Sequence, residues 1–269
     1  MLALLSPAKT LDLDPPDPKL PFTEPGLLAE AKSIHQVMKK MSVADLAALM
    51  DLSQNLAELN RERFQDWKIE HAPGEAKQAI LTFAGDVYLG LEAGSLKKKD
   101  LEWSQQHVGI LSGLYGLLRP LDLIRPYRLE MGSKVATRRG KDLYAFWGDK
   151  IAKTIVQRLD GERQRSVVNL ASNEYWKAVA QPVLAKAGIP ILNVAFKEIR
   201  DGEAVTYALF AKKARGMMAR HIITARVDAP AGLKDFAAAD YRFDAERSSD
   251  DTWVFTRPFR KMAMASGDD

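Results

Sequence analysis

The chain has 269 residues, 46% of them apolar and 28% charged, with a net charge of +4 and no cysteine. That size suits one large core or two small ones. The lack of cysteine excludes a disulfide framework, a thiol nucleophile, a thiol peroxidase and any Cys-ligated zinc or iron–sulfur centre, and it favours a reducing compartment. Residues 2–5, all apolar, read as a short buried strand; the run is too short for a secretory segment and is followed at once by Ser6, Pro7 and Lys9. No other apolar run approaches the ~20 residues of a membrane span, so a cytoplasmic protein without a membrane role is expected.

Residues 6–25 are rich in Pro and Asp and read as an extended loop. A helical apolar pattern follows over 27–41, and Ser42 is a suitable N-cap for a second helix running to about Asn60. Pro73 suits a first helical position, with Glu75 in the first turn and the helix continuing to Phe83. Gly85 breaks that pattern, 86–91 supplies another apolar turn or two, and 97–110 reads as a helix. Residues 142–159 form an amphipathic helix pattern. Residues 166–171 read as a buried strand, with Ser172 capping a short helix over 173–180. Strands over 190–200 and 203–210 are joined at Asp201-Gly202, a short hairpin signal. A basic helix is expected over 211–226, then a second hairpin pairing 241–243 with 253–256. The tail from Lys261 is expected to be disordered. Strands and helices mix without regular βαβ alternation. The expectation is therefore an α+β fold, a single mixed domain over residues 1–260 with short sheets and many helices, and not a doubly wound sheet.

Charge is unevenly spread. Between Arg119 and Lys141 there are seven bases and two acids; between Ala211 and Arg226 there are five bases and no acid, so the remaining chain is net acidic. Two basic segments on an acidic body suit a polyanionic partner if they meet in space, and are plain solvated faces if they do not. Residues 110–124 suggest a helix–hairpin–helix. In such an element Gly113 and Gly116 would expose backbone N–H groups to a phosphate, although the Gly-x-x-Gly spacing and Pro120 depart from the usual pattern. An ordinary tight turn is the plainer reading. On the basic helix, Lys212, Lys213 and Arg220 share a side, with Gly216 between them removing bulk. Arg125-Pro-Tyr127-Arg128 adds guanidinium forks beside a ring able to stack on a base.

Other chemistry is poorly represented. There is no G-x-x-x-x-G-K-[ST], no G-x-G-x-x-G and no G-x-S-x-G. The histidines at 35, 71, 107 and 221 lack ligand spacing, and Asp12, Asp14 and Asp17 lie in a Pro-rich loop, so no metal and no cofactor are expected.

The motifs Ser6-Pro-Ala-Lys-Thr10, Gly85-Asp-Val-Tyr88, Leu111-Ser-Gly-Leu-Tyr-Gly116 through Arg119-Pro120 to Pro126-Tyr-Arg-Leu-Glu-Met-Gly132, Phe146-Trp-Gly-Asp149, Asn169-Leu-Ala-Ser172 with Glu174-Tyr175, and Ala211-Lys-Lys-Ala-Arg-Gly216 occur in order along the chain. Together they resemble the YaaA family of bacterial peroxide-stress proteins. The resemblance implies a cytoplasmic protein of the hydrogen-peroxide response, with DNA binding and repair, an unusual mixed fold, a basic cleft and a helix–hairpin–helix. The leading expectation is a DNA-binding protein gripping duplex or distorted DNA with little sequence preference. Arg119, Arg125, Tyr127, Arg128, Lys212, Lys213, Arg215 and Arg220 would line the cleft, and Gly113 and Gly116 would present amides. The alternative is an enzyme acting on a small molecule, with Lys9, Tyr115, Arg128, Glu130, Asn169, Ser172 and Tyr175 converging on a pocket; these residues otherwise serve only to satisfy backbone groups. Iron handling has a poor ligand set.

Overall fold

β1 (Leu2–Leu5) is buried at every residue, as its unbroken apolar run requires of a strand covered on both faces. The structure is a computed structural model that describes residues 1–259; the tail expected from Lys261 lies outside the described residues. α1 (Leu28–Met38) buries Ala31, Ile34, His35 and Met38 at helical spacing. Ser42 caps α2 (Val43–Met50) reciprocally: the Asp45 N–H donates to Ser42 Oγ at 3.1 Å, and the Ser42 N–H donates to the Asp45 carboxylate at 2.9 Å. The long second helix expected to Asn60 is two helices. Asp51 (φ 50°) takes the left-handed conformation that ends α2, and α3 (Gln54–Asp66) starts after Ser53.

The helix expected from Pro73 is also replaced. Residues 72–76 form a turn, followed by β2 (Lys77–Gln78) and the single turn of α4 (Ala79–Thr82). α5 (Asp86–Leu91) then follows Gly85. α6 (Lys98–His107) stops short of the expected Ile110 because the next residues become β3 (Val108–Ser112), wholly buried beside β1.

The helix–hairpin–helix expected around Gly113 is a strand hairpin. β4 (Gly116–Leu118) folds back antiparallel on β3, pairing Ser112 with Gly116 and Ile110 with Leu118. Ile110, Leu111, Leu114, Leu117 and Leu118 are all buried, so both faces of the segment are in the core and no helical stripe exists. β5 (Leu123–Ile124) pairs with β2 as a separate ribbon.

Gly148 (φ 46°) divides the expected amphipathic helix into α7 (Leu143–Trp147) and α8 (Lys150–Arg158). β6 (Val167–Asn169), α9 (Asn173–Trp176) and α10 (Gln181–Lys186) follow. β7 (Ile191–Arg200) alternates buried and half-buried residues. It turns through Asp201 and Gly202, both with positive φ, into the short β8 (Glu203–Val205). The expected longer second strand gives way to α11 (Ala208–Thr224). β9 (Arg242–Asp244) and β10 (Thr252–Pro258) form the expected second hairpin.

One eight-stranded sheet runs β4-β3-β1-β6-β7-β10-β9, with β8 beside β7. β3, β1, β6, β7 and β10 are mutually parallel; β4, β8 and β9 join antiparallel. The single mixed domain expected from the sequence is thus the architecture observed, with its main strands in one sheet rather than several short ones. β3 lies on one side of β1 and β6 on the other, so the build direction of the sheet reverses across β1. In parallel sheets the crevice outside the carboxyl ends of strands at such a reversal is where ligands bind. No helix among the described residues is long and apolar enough to cross a membrane.

Candidate functional site

A cavity of about 380 Å³ lies outside the carboxyl ends of β1 and β6. Its walls come from residues 6–10 after β1, 85–87 at the start of α5, 127–130, α9 with Ser172, and Lys212 and Arg215 of α11. Ser6 ties the two strand ends together: its Oγ accepts from the Ser172 N–H at 2.9 Å and bonds Ser172 Oγ at 3.2 Å. The Tyr88 hydroxyl holds the Ser6 carbonyl at 3.1 Å.

Glu130 is the pocket's central acid. Its Oε1 pairs with Lys9 Nζ at 3.1 Å and Arg128 Nε at 3.2 Å, while its Oε2 is buried with no hydrogen-bond donor among the described residues. Lys212 stands 3.9 Å from Asp86. Glu174 is occupied by the Gly132 N–H at 2.8 Å. Among the described residues Arg215 makes no ion pair or hydrogen bond, and its Nε is buried. Burial without a counter-charge lowers its pKa from the ordinary arginine value. Tyr127 bonds Ser112 at 2.6 Å, and burial raises the pKa of both Tyr127 and Tyr175, keeping these phenols protonated.

Of the residues expected to form a pocket, Lys9, Arg128, Glu130, Ser172 and Tyr175 line this cavity. Tyr115 and Asn169 do not. Tyr115 is fully buried, its hydroxyl accepting from Trp67 Nε1 at 2.8 Å and the Arg125 N–H at 3.2 Å, with His71 Nε2 at 2.9 Å. Asn169 joins β6 to β7 through Asn193 at 2.9 Å.

The residues expected to grip DNA are dispersed. Tyr127, Arg128, Lys212 and Arg215 reach the cavity, and Lys213 is exposed. Arg119 is committed to Asp122, at 3.0 Å, and to the Glu24 carbonyl. Arg125 is buried between Glu75 and the Glu70 carbonyl. Arg220 donates to the carbonyls of Leu91 and Glu92 at 2.9 and 3.0 Å. The amides of 113–116 face no open surface: Gly113 sits against Leu129, and its carbonyl accepts from Trp147 Nε1 at 3.0 Å. Gly116 (φ 71°) abuts the Trp147 ring. Gly216 does not clear space for a phosphate; it is buried against α5.

Sequence reasoning missed a second, open groove of about 1220 Å³ between α1, α2 and residues 132–139. Lys40, Lys134, Arg138 and Arg139 line it. Lys40, Lys134 and Arg138 are exposed, and no ion pair is made by any of them among the described residues. Arg139 lies 4.0 Å from Glu30 and over the Phe146 ring. Three of these four bases belong to the first basic segment, so the signal was present as charge without a motif. Asp86 was overlooked too, although it stands in the Gly85-Asp-Val-Tyr88 motif. His35 and His71 both pack on the Trp67 ring, and no cluster of three metal-ligating side chains occurs among the described residues.

The fold and site define a mixed α/β protein with a charged pocket at the carboxyl ends of its central parallel strands. Residues 1–247 match the family described as peroxide stress protein YaaA. The chain is similar to a UPF0246 protein of Burkholderia ambifaria, 48% identical over 96% of this chain and 98% of that protein. UPF0246 proteins of Burkholderia vietnamiensis and Burkholderia multivorans match over the same shares at 47% and 45% identity. The chain belongs to the YaaA peroxide-stress family.

Proposed function

We propose that this protein binds DNA in the peroxide-stress response, holding duplex or distorted DNA by its phosphates with little sequence preference, in protection or repair. The observation that carries the reading is the open groove lined by Lys40, Lys134 and Arg138, three exposed cations without acidic partners among the described residues. Paired arginines have little to gain from a phosphate; unpaired, solvated ones release counterions on binding. The groove replaces the contact set Arg119, Arg125 and Arg220, whose charges are satisfied inside the fold. In this reading the protein works in the cytoplasm as one domain over residues 1–260.

The test is fluorescence anisotropy with labelled duplex and bubble DNA across a salt series. Wild type should lose affinity steeply with salt. Lys134→Ala/Arg138→Ala should bind less tightly, with a log–log slope shallower by about 2. Absence of binding at low salt, or an unchanged slope in the double variant, overturns the proposal.

A further inference from the structure

The pocket at the ends of β1 and β6 carries complementary deficits that a solvated surface would not hold. Among the described residues Arg215 has no anion and its Nε no acceptor. Glu130 Oε2 has no donor, although the same carboxylate's Oε1 is shared by Lys9 and Arg128. Leaving a buried N–H and a buried carboxylate oxygen unpaired destabilises the folded state. Glu130 Oε2 and Arg215 Nε are closed to solvent, but the terminal nitrogens of Arg215 are not, so a ligand oxyanion there would supply the missing counter-charge.

Two further features narrow the ligand. Lys9 and Lys212 have side chains 66% and 56% exposed, and the Lys212–Asp86 pair is loose, so both ammonium groups can swing toward a charge held on Arg215. A phosphomonoester has three peripheral oxygens and nearly two negative charges near neutral pH, enough for a guanidinium fork and an ammonium together. The volume of about 380 Å³ is at the small end of ligand cavities, the size of one sugar phosphate.

We infer that this pocket binds a small phosphomonoester, with the phosphate on the terminal nitrogens of Arg215 and on Lys212 and Lys9. The inference is independent of the groove and of nucleic-acid binding there. A free sugar phosphate and the terminal phosphate of a strand share this chemistry.

The test is calorimetric titration of the whole chain with glucose 6-phosphate, ribose 5-phosphate, glucuronate and glucose. Both phosphates should bind saturably with Kd below about 1 mM. Glucuronate should bind at least tenfold more weakly, and glucose should give no heat. Arg215→Lys retains the charge but not the fork, and Lys9→Ala alters an exposed side chain, so the latter is informative even if the former folds poorly. Each should weaken glucose 6-phosphate tenfold or more. No saturable heat with either phosphate, equal affinity for glucuronate, or undiminished binding in Lys9→Ala overturns the assignment. A 5′-phosphorylated oligonucleotide that displaces glucose 6-phosphate, where its 5′-hydroxyl counterpart does not, assigns the site to strand ends; no displacement assigns it to the free ester. Lys134→Ala/Arg138→Ala should leave this titration unchanged, which separates failure of the pocket from failure of the groove.

Discussion

Gly216 of α11 lies directly on the Val87 carbonyl of α5, and a Cβ at that glycine would occupy the carbonyl's place. Gly90 meets the Lys213 carbonyl in the same way from the other side. The two glycines let the helices touch backbone to backbone, which positions Asp86 and Lys212 at the pocket rim. Gly216→Ala should therefore destabilise the fold by about 1–3 kcal/mol or more, measured by urea denaturation. A stable Gly216→Ala protein with only a binding defect would instead return that glycine to a ligand-facing role.

Arg119 and Arg125 are expected to act on stability and not on DNA. Arg119 covers Asp122, whose side chain is 1% exposed, and Arg125 ties the Glu70 carbonyl and Glu75 to the Tyr115 network. Arg125→Ala should cost about 1–3 kcal/mol in chemical denaturation. Its DNA affinity and salt slope, measured well below the unfolding midpoint, should match wild type. A shallower slope would bring Arg125 back into the nucleic-acid interface.

Glu198 is buried with one oxygen taking both the Tyr241 hydroxyl at 2.6 Å and Arg257 Nε at 2.8 Å. Removing the cation leaves the buried carboxylate with the Tyr241 hydroxyl but no counter-charge. Arg257→Met should cost about 3 kcal/mol or more, and Glu198→Gln/Arg257→Met should recover part of that loss. Equal destabilisation of the single and double variants would mean that packing of the Arg257 stem, not charge, is what matters.

Stability should fall in mild acid through buried histidines. His71 Nδ1 faces the Ile69 carbonyl at 2.8 Å and so carries the proton; its Nε2 then accepts from Tyr115, whose oxygen already takes two N–H donors. A second proton on His71 would confront the Tyr115 O–H. Burial lowers the pKa of His71, and also of His35 and His107. Between those depressed values and the ordinary value of about 6.5, the unfolded chain binds more protons than the folded one. The stabilisation is thus whole above about pH 6.5 and is lost as pH falls below it. Urea midpoints measured from pH 7.5 to 5.5 should decline, and His35→Gln/His71→Gln should flatten the curve. An unchanged midpoint across that range in wild type would rule the effect out.

Much of the fold was legible because it rests on local patterns. The apolar run of β1, the capping box at Ser42, the Asp201-Gly202 turn and the β9–β10 hairpin each need only neighbouring residues. β3 was not legible. Its run Val108–Ser112 has no period that separates a buried strand from the end of a helix, and the parallel pairing with β1, a hundred residues earlier, decides the matter. Of the seven residues expected to share a pocket, five line the cavity, whereas Tyr115 is drawn inward by Trp67 and His71, aromatic partners remote in sequence.

By itself the sequence determined the family, the mixed domain, the main helices and where positive charge is concentrated. Only the tertiary structure decided which charges are available. Arg125 looks like Arg138 in a basic segment, yet one meets Glu75 and a carbonyl inside the fold and the other meets solvent. Charge density is a property of adjacent residues, while the pairing of a charge depends on what the fold brings within a few ångströms of it. A guanidinium satisfied by its own protein has already exchanged water for a partner, so a phosphate gains little from it. Lys40, Lys134, Arg138 and Arg215 line the groove or the cavity and make no ion pair among the described residues, which was recognisable only from the pairings of the folded chain.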